Sequence, residues 1–275
     1  HPDHAIYGLY GGPEEEAADF ERELGPRLDD FYVAMRQPDP VLKWLQGDLE
    51  IVEWFELRGR ELDWGSIAVV QWDLLVQAPI PQILAGLGPG QNFFSGLRRL
   101  DAALEARWYW TRENQHQRSY HRFRAQLALR HGFHEQPMCC LFLFAVLTRP
   151  FLEMYAREGP RLSGFLEYKL PTLAQVHGFP CHVQDLGVFW DPVERAVQKP
   201  LQAIPKPIPR LYIEGQLARA DGFRLFHPVP YPFERGLAAE LLPCAFTTVS
   251  SSAWSSARSR GAATSAAGFR ICSGT

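Results

Sequence analysis

The chain has 275 residues, 46% of them hydrophobic, with 22 Gly, 22 Pro and 13% aromatic residues. That is enough apolar material for one large core or two modest ones, and it excludes a low-complexity or collagen-like chain. The formal net charge of −3 excludes the global basic excess of a nucleic-acid-binding domain, so no nucleic-acid partner is expected.

In chain order, Ala5–Tyr10 reads as a strand, broken by Gly11, Gly12 and Pro13. Glu14–Leu24 predicts a helix with acids in its first turn, stopped by Gly25-Pro26. Asp48–Arg58 predicts a second helix, with Asp48 as N-cap, Gly59 past its end and Arg58 at the negative end of its dipole. Ser66–Val70 is a short run with β-branched members and reads as a buried strand. A short helix at Ile83–Leu87 and a longer one at Leu97–Tyr109 follow. Arg112–His134 is a basic, His- and aromatic-rich loop or helix. Pro137–Val146 reads as a buried strand, Arg149–Arg157 and Leu170–His177 as helices, and Cys181–Val183 and Leu211–Ile213 as short strands. Leu225–His227 precedes a Pro-rich stretch. This alternation predicts an α/β domain with a mainly parallel sheet flanked by helices, whose ligands bind beyond the carboxyl ends of the strands.

The longest apolar run, near Met138–Leu147, is too short to span a bilayer, so no transmembrane segment is expected. The five cysteines contain no C-x-x-C pair, and adjacent Cys139 and Cys140 read as buried small hydrophobes. That favours a reducing compartment, hence a cytoplasmic or membrane-peripheral setting. From Cys244 to Thr275 there is no Asp or Glu, and Ser, Ala, Gly, Thr and Arg dominate. We therefore expect a domain over residues 1–243 and a tail over 244–275 that is disordered or translated out of frame.

His131 and His134 are the closest-spaced pair in the His-rich segment and could serve a zinc-dependent hydrolase, although no H-E-x-x-H motif is present. No G-x-G-x-x-G, P-loop or G-x-S-x-G occurs. Asp73 stands just past the Ile67–Val70 run, where an Asp either starts a turn or is delivered to a site.

Three segments are informative together: V-V-Q-W-D at Val69–Asp73, L-E-Y-K-L-P-T-L-A-Q-V-H-G-F at Leu166–Phe179, and L-F-H-P-V at Leu225–Val229. In this order they resemble nucleotide-sugar-dependent glycosyltransferases of the GT-A fold, from about Ala5 to Glu234. The resemblance implies transfer of a sugar from a nucleotide-sugar donor to a hydroxyl-bearing acceptor. It implies an apolar strand ending in a D-x-D-type motif that holds Mn²⁺ or Mg²⁺ against the donor diphosphate. Carried onto this chain, Asp73 and His227 become the metal ligands and Glu167 the base that activates the acceptor for inversion. Asp73, Trp72 and Arg58 become donor-binding residues. Gln71 stands where the first acid of D-x-D falls, and the strand that opens the fold is expected upstream of His1. Each residue also has a plain structural reading: helix-start acid for Glu167, loop histidine for His227, helix-end cation for Arg58 and core aromatic for Trp72. A non-catalytic sugar- or nucleotide-binding domain of the same fold is the alternative.

Overall fold

The computed structural model describes residues 4–37, 39–190, 198–233 and 268–274. The chain opens with β1 (Ala5–Tyr10), α1 (Glu14–Leu24) and β2 (Asp30–Val33). α1 follows Pro13, carries Glu14, Glu15 and Glu16 in its first turn and ends on Gly25, as its sequence punctuation predicts. Next come α2 (Pro40–Leu45) and α3 (Gly47–Trp54), the latter continuing as a π-helical turn over Phe55–Gly59. Then follow β3 (Ser66–Gln71), β4 (Leu75–Val76), α4 (Ile80–Ile83), β5 (Asn92–Phe94) and β6 (Arg98–Arg99). α5 (Ala102–Glu105), α6 (Tyr109–Arg112) and α7 (Asn114–His131) lead to β7 (Met138–Cys139), β8 (Phe144–Thr148), α8 (Arg149–Glu158) and α9 (Leu166–Val176). β9 (Cys181–His182), α10 (Arg210–Leu217), β10 (Leu225–Phe226) and β11 (Gly268–Gly274) complete the order.

The main sheet runs β2-β1-β11-β3-β8-β5-β9. Only β1/β2 and β5/β9 pair in parallel; β11 runs against both β1 and β3, and β8 against both β3 and β5. The chain is therefore mixed α/β, and the expectation of a mainly parallel sheet gives way to a mixed one. Antiparallel neighbours need no crossover helix, so β8 and β11 enter the sheet without the βαβ units that simple alternation suggested.

Both faces of the sheet are covered. Along β3, Ile67 and Val69 join the larger core cluster while Ala68 and Val70 join the second. β8 alternates likewise, with Ala145 and Leu147 on one face and Phe144 and Val146 on the other. A strand buried on both faces reads as an unbroken apolar run, which is why β3 was legible. The larger cluster is closed by α3, α7, α8 and α9 through Ile51, Phe123, Phe151 and Leu170. The second is closed by the 74–87 segment together with Leu186, Val188, Leu201 and Leu225.

Several boundaries differ from the sequence reading. Leu211–Ile213 lies in the helix α10, where Ile213 is buried and Leu211 is 83% exposed. The predicted strand at Pro137–Val146 is split into β7 and β8 by the segment between them, and the predicted helix at Leu97–Tyr109 into β6, α5 and the start of α6. The helix after Pro79 spans Ile80–Ile83 rather than Ile83–Leu87, and α9 starts at Leu166 with Pro171 inside it. The His-rich segment is the 18-residue helix α7, closed by Gly132 in the left-handed region at φ 62°. Cys139 and Cys140 are buried free thiols, their pKa values pushed up chiefly by burial. Of the tail from Cys244, residues 244–267 lie outside those described, whereas Gly268–Gly274 form β11 inside the sheet. No helix among the described residues is long and apolar enough to cross a membrane.

Candidate functional site

β3 ends at Gln71, whose N–H donates to the Leu143 carbonyl, and the chain turns through Trp72 and Asp73 with Leu74 N–H closing on the Gln71 carbonyl. Asp73 is thus in a turn and at a strand end at once. The next residues form β4, which pairs antiparallel with β10 in the register Leu225↔Val76 and Phe226↔Leu75. This two-stranded ribbon carries His227 back to Asp73: His227 Nε2 lies 3.0 Å from Asp73 Oδ1. Val229 N–H donates to the Asp73 carbonyl at 2.8 Å, so the ribbon is closed on both sides of the pair.

His227 is held from its other flank as well. Its backbone N–H donates to the Pro200 carbonyl, and its own carbonyl accepts from Gln202 N–H. Its Nδ1 lies 2.7 Å from the Gln202 carbonyl oxygen. A carbonyl only accepts, so Nδ1 carries the proton there. In a neutral ring Nε2 then presents a lone pair to the Asp73 carboxylate, and two acceptors 3.0 Å apart need a cation between them. That cation is either the second imidazole proton or a metal ion. A ring whose far nitrogen donates to a backbone carbonyl is the arrangement that orients a metal-binding histidine. The side chains of His227 and Asp73 are 8% and 14% exposed, so the pair is sheltered without being sealed. One carboxylate oxygen and one imidazole nitrogen fit Mn²⁺ better than Mg²⁺, which favours an all-oxygen shell.

Glu167 sits in the first turn of α9, buried, with Oε1 accepting Phe142 N–H at 2.8 Å. Burial raises its pKa to about 8 against the opposing pull of the Phe142 N–H and a side-chain hydrogen bond from Trp110. Phe142 neighbours Leu143, the acceptor for Gln71, so Glu167 and Gln71, two residues before Asp73, bond to adjacent residues of the 142–143 segment. They approach that segment from different faces, since Phe142 belongs to the larger core cluster and Leu143 to the second. Glu167 makes no direct contact with the Asp73–His227 pair.

Several aromatic pairs lie near Glu167, whose side chain is hydrogen-bonded by Trp110. Trp110 stacks on Phe165 at 3.6 Å, and Trp108 meets Tyr168 edge-on at 6.3 Å and Trp190 edge-on at 5.8 Å. Trp190 donates Nε1–H to the Gly96 carbonyl and lies under the Arg98 guanidinium. Two residues before Trp190, Val188 bridges to Leu201, which in turn bridges to His227. The sequence reading assigns Trp108, Trp110 and Trp190 no role; the W-Y-W run at Trp108–Trp110 is the signal that points to this aromatic cluster.

The remaining candidates fall differently. Trp72 is half-buried beside Asp73. Arg58 is exposed in the π-helical turn, and the adjoining Gly59 and Arg60 carbonyls accept from Arg149, whose N–H donates to Gly65 at the start of β3. Arg58 is therefore at the opposite end of β3 from Asp73, about 20 Å away at some 3.3 Å per strand residue. That position agrees with the helix-end reading of Arg58 and sets it apart from the Asp73–His227 pair. Asp48 does not cap α3: Gln46 holds that position without a side-chain cap, and Asp48 is buried in a long-range ion pair. His134 is exposed and does not converge with His131 on a ligand set; the groups that meet there are His131, Glu158 and His177.

The chain matches no family model, no curated protein and no solved structure.

Proposed function

We propose that this domain is a glycosyltransferase of GT-A type, moving a sugar from a nucleotide-sugar donor to a hydroxyl acceptor with a divalent cation held by Asp73 and His227. The observation that carries the reading is the opposition of the Asp73 carboxylate to an imidazole whose other nitrogen is committed to the Gln202 carbonyl. Mn²⁺ bound there supplies charge neutralisation for the departing nucleoside diphosphate. Glu167 is the candidate base, its carboxyl pKa of about 8 matched to proton transfer near neutral pH, and this role requires the acceptor to reach it round the end of the sheet from the Asp73–His227 side. The Trp110 N–H and the Phe142 N–H keep that carboxylate aimed while it ionises. Trp108, Trp110 and Trp190 are half-buried aromatics of the kind on which sugar rings stack, although Phe165 already covers one face of Trp110 and Arg98 one face of Trp190.

One carboxylate and one imidazole leave most of an octahedral shell to other oxygens, and a donor diphosphate provides them. Mn²⁺ should therefore bind weakly alone and at least about tenfold more tightly with a nucleoside diphosphate, a coupling of about 1.4 kcal/mol. Nucleotide-sugar turnover across a donor panel, with and without sugar acceptors, tests the reading. Asp73→Ala and His227→Ala should abolish both turnover and the Mn²⁺–diphosphate coupling. Coupling that survives both substitutions would remove the assignment.

Gln71, in place of a first acid, favours the second reading, a binding domain without catalysis. In that case the Mn²⁺–diphosphate coupling is present, and no donor in the panel turns over.

A further inference from the structure

Away from the Asp73–His227 pair, three side chains from three helices converge. His131 is the last residue of α7, Glu158 the last of α8, and His177 the C-cap of α9. Both imidazole Nε2 atoms address the same carboxylate oxygen, Glu158 Oε2, at 3.2 Å from His131 and 3.1 Å from His177. The two rings stand edge to face at 5.3 Å, and the three donor atoms lie within 4.8 Å of one another. Their side chains are 18%, 30% and 25% exposed, half-sheltered but open to entry from solvent.

We propose that His131, Glu158 and His177 form a zinc site that clamps the C-terminal ends of α7, α8 and α9. Two imidazoles and a carboxylate are a borderline nitrogen–oxygen donor set, suited to Zn²⁺ and unsuited to Mg²⁺ or Ca²⁺, which take oxygen shells. The spacing agrees. Tetrahedral Zn²⁺ with bonds of about 2.0–2.2 Å keeps its ligand atoms about 3.3–3.4 Å apart, close to the two nitrogen–oxygen separations here. The backbone field agrees independently. Each helix presents the negative end of its dipole at its C-terminus, equivalent to about half an elementary charge, and three such ends meet at this point. With three protein ligands the fourth position belongs to water. Zinc here ties α9 to the helices around it, and so steadies the element that carries Glu167.

The competing arrangement is a pair of imidazoliums sharing one carboxylate, with no metal. The two differ in a direct measurement. Full-length protein stripped with a chelator is titrated with ZnCl₂ at pH 7.5, where ordinary histidines are mostly neutral. The Asp73→Ala background is used, so that the Asp73–His227 pair does not contribute. We expect one saturable equivalent with a roughly micromolar or tighter Kd, a rise in Tm that levels off at that equivalent, and, with Co²⁺ in place of Zn²⁺, tetrahedral d–d absorption. Glu158→Gln and His177→Ala should each remove the saturable step and the Co²⁺ spectrum, while His134→Ala keeps both. The two ligand variants are independent, so loss of folding in one leaves the other decisive. Absence of a saturable step, or a step that survives both substitutions, overturns the site. So does stability that falls as pH rises through the histidine range with no response to zinc.

Discussion

Lys169 places its Nζ 2.6 Å from Asp48 Oδ2, and the two side chains are 2% and 0% exposed. Tyr155 donates its hydroxyl to the same oxygen at 2.6 Å, so α3, α8 and α9 meet on one carboxylate. Glu167 lies two residues before Lys169 on α9, and this contact therefore helps set where the proposed base stands.

Breaking that pair from one side leaves an unpaired charge in the core. Asp48→Ala or Lys169→Ala should each cost about 3–5 kcal/mol. Replacing both, as Asp48→Leu with Lys169→Met, should recover much of the loss, because apolar packing of similar volume carries no desolvation penalty. Urea midpoints of the single and double variants measure it. A double variant as unstable as the sum of the singles would show that the pair contributes through geometry that apolar side chains cannot replace.

Glu167 makes a prediction about rate. With its pKa raised to about 8 by burial, only a minor fraction is ionised at neutral pH, so transfer should increase with pH and level off above about 8. Glu167→Gln keeps an acceptor for the Phe142 N–H and removes the base. It should lower turnover about 10²–10⁴-fold with little change in unfolding midpoint. A Gln variant that retains the wild-type pH limb assigns that limb to another group.

Glu50 makes a prediction about stability. It is buried on α3 with neither carboxylate oxygen hydrogen-bonded. Its pKa is raised to about 8, first by burial, with Lys43 pulling it down and Glu53 and Asp48 pushing it up. The native state therefore holds a proton that the unfolded chain, at about 4.3, releases. The resulting stabilisation is complete below about pH 4.3 and is lost as pH rises towards 8, with a slope of up to about 1.4 kcal/mol per pH unit. Glu50→Gln should flatten that slope in denaturation curves taken between pH 5.5 and 8. Glu167 contributes with the same sign, so the comparison belongs in the Glu167→Gln background, where the Glu50 share stands alone.

Sequence reading succeeded where the deciding forces are local. β1, α1 and β3 are bounded by Gly and Pro punctuation or carry their burial pattern in consecutive residues. Leu211–Ile213 misled because three bulky residues in a row suit a strand, whereas the helix follows from Pro209 just ahead and an Arg210–Glu214 ion pair one turn apart. Asp48 reads as a cap because its partner, Lys169, is far away in sequence. The His131–Glu158–His177 cluster was illegible for the same reason, since each residue comes from a different helix and no spacing rule joins helix ends. Asp73 stands out in the sequence by its place past an apolar strand and His227 by resemblance alone; their meeting is fixed by the register of β4 on β10, and short two-residue strands leave little trace in a sequence.

That ribbon also makes the centre depend on a long-range closure of the chain. Its two halves come from distant parts of the chain, with β5, β8 and most of the helical layer between them, so closing it carries the entropy of a long loop. A nascent or partly folded chain can hold β3, β8 and their helices and still have no Asp73–His227 pair. Until β4 pairs with β10, Asp73 and His227 do not meet, so the candidate centre exists only where this long-range closure is complete.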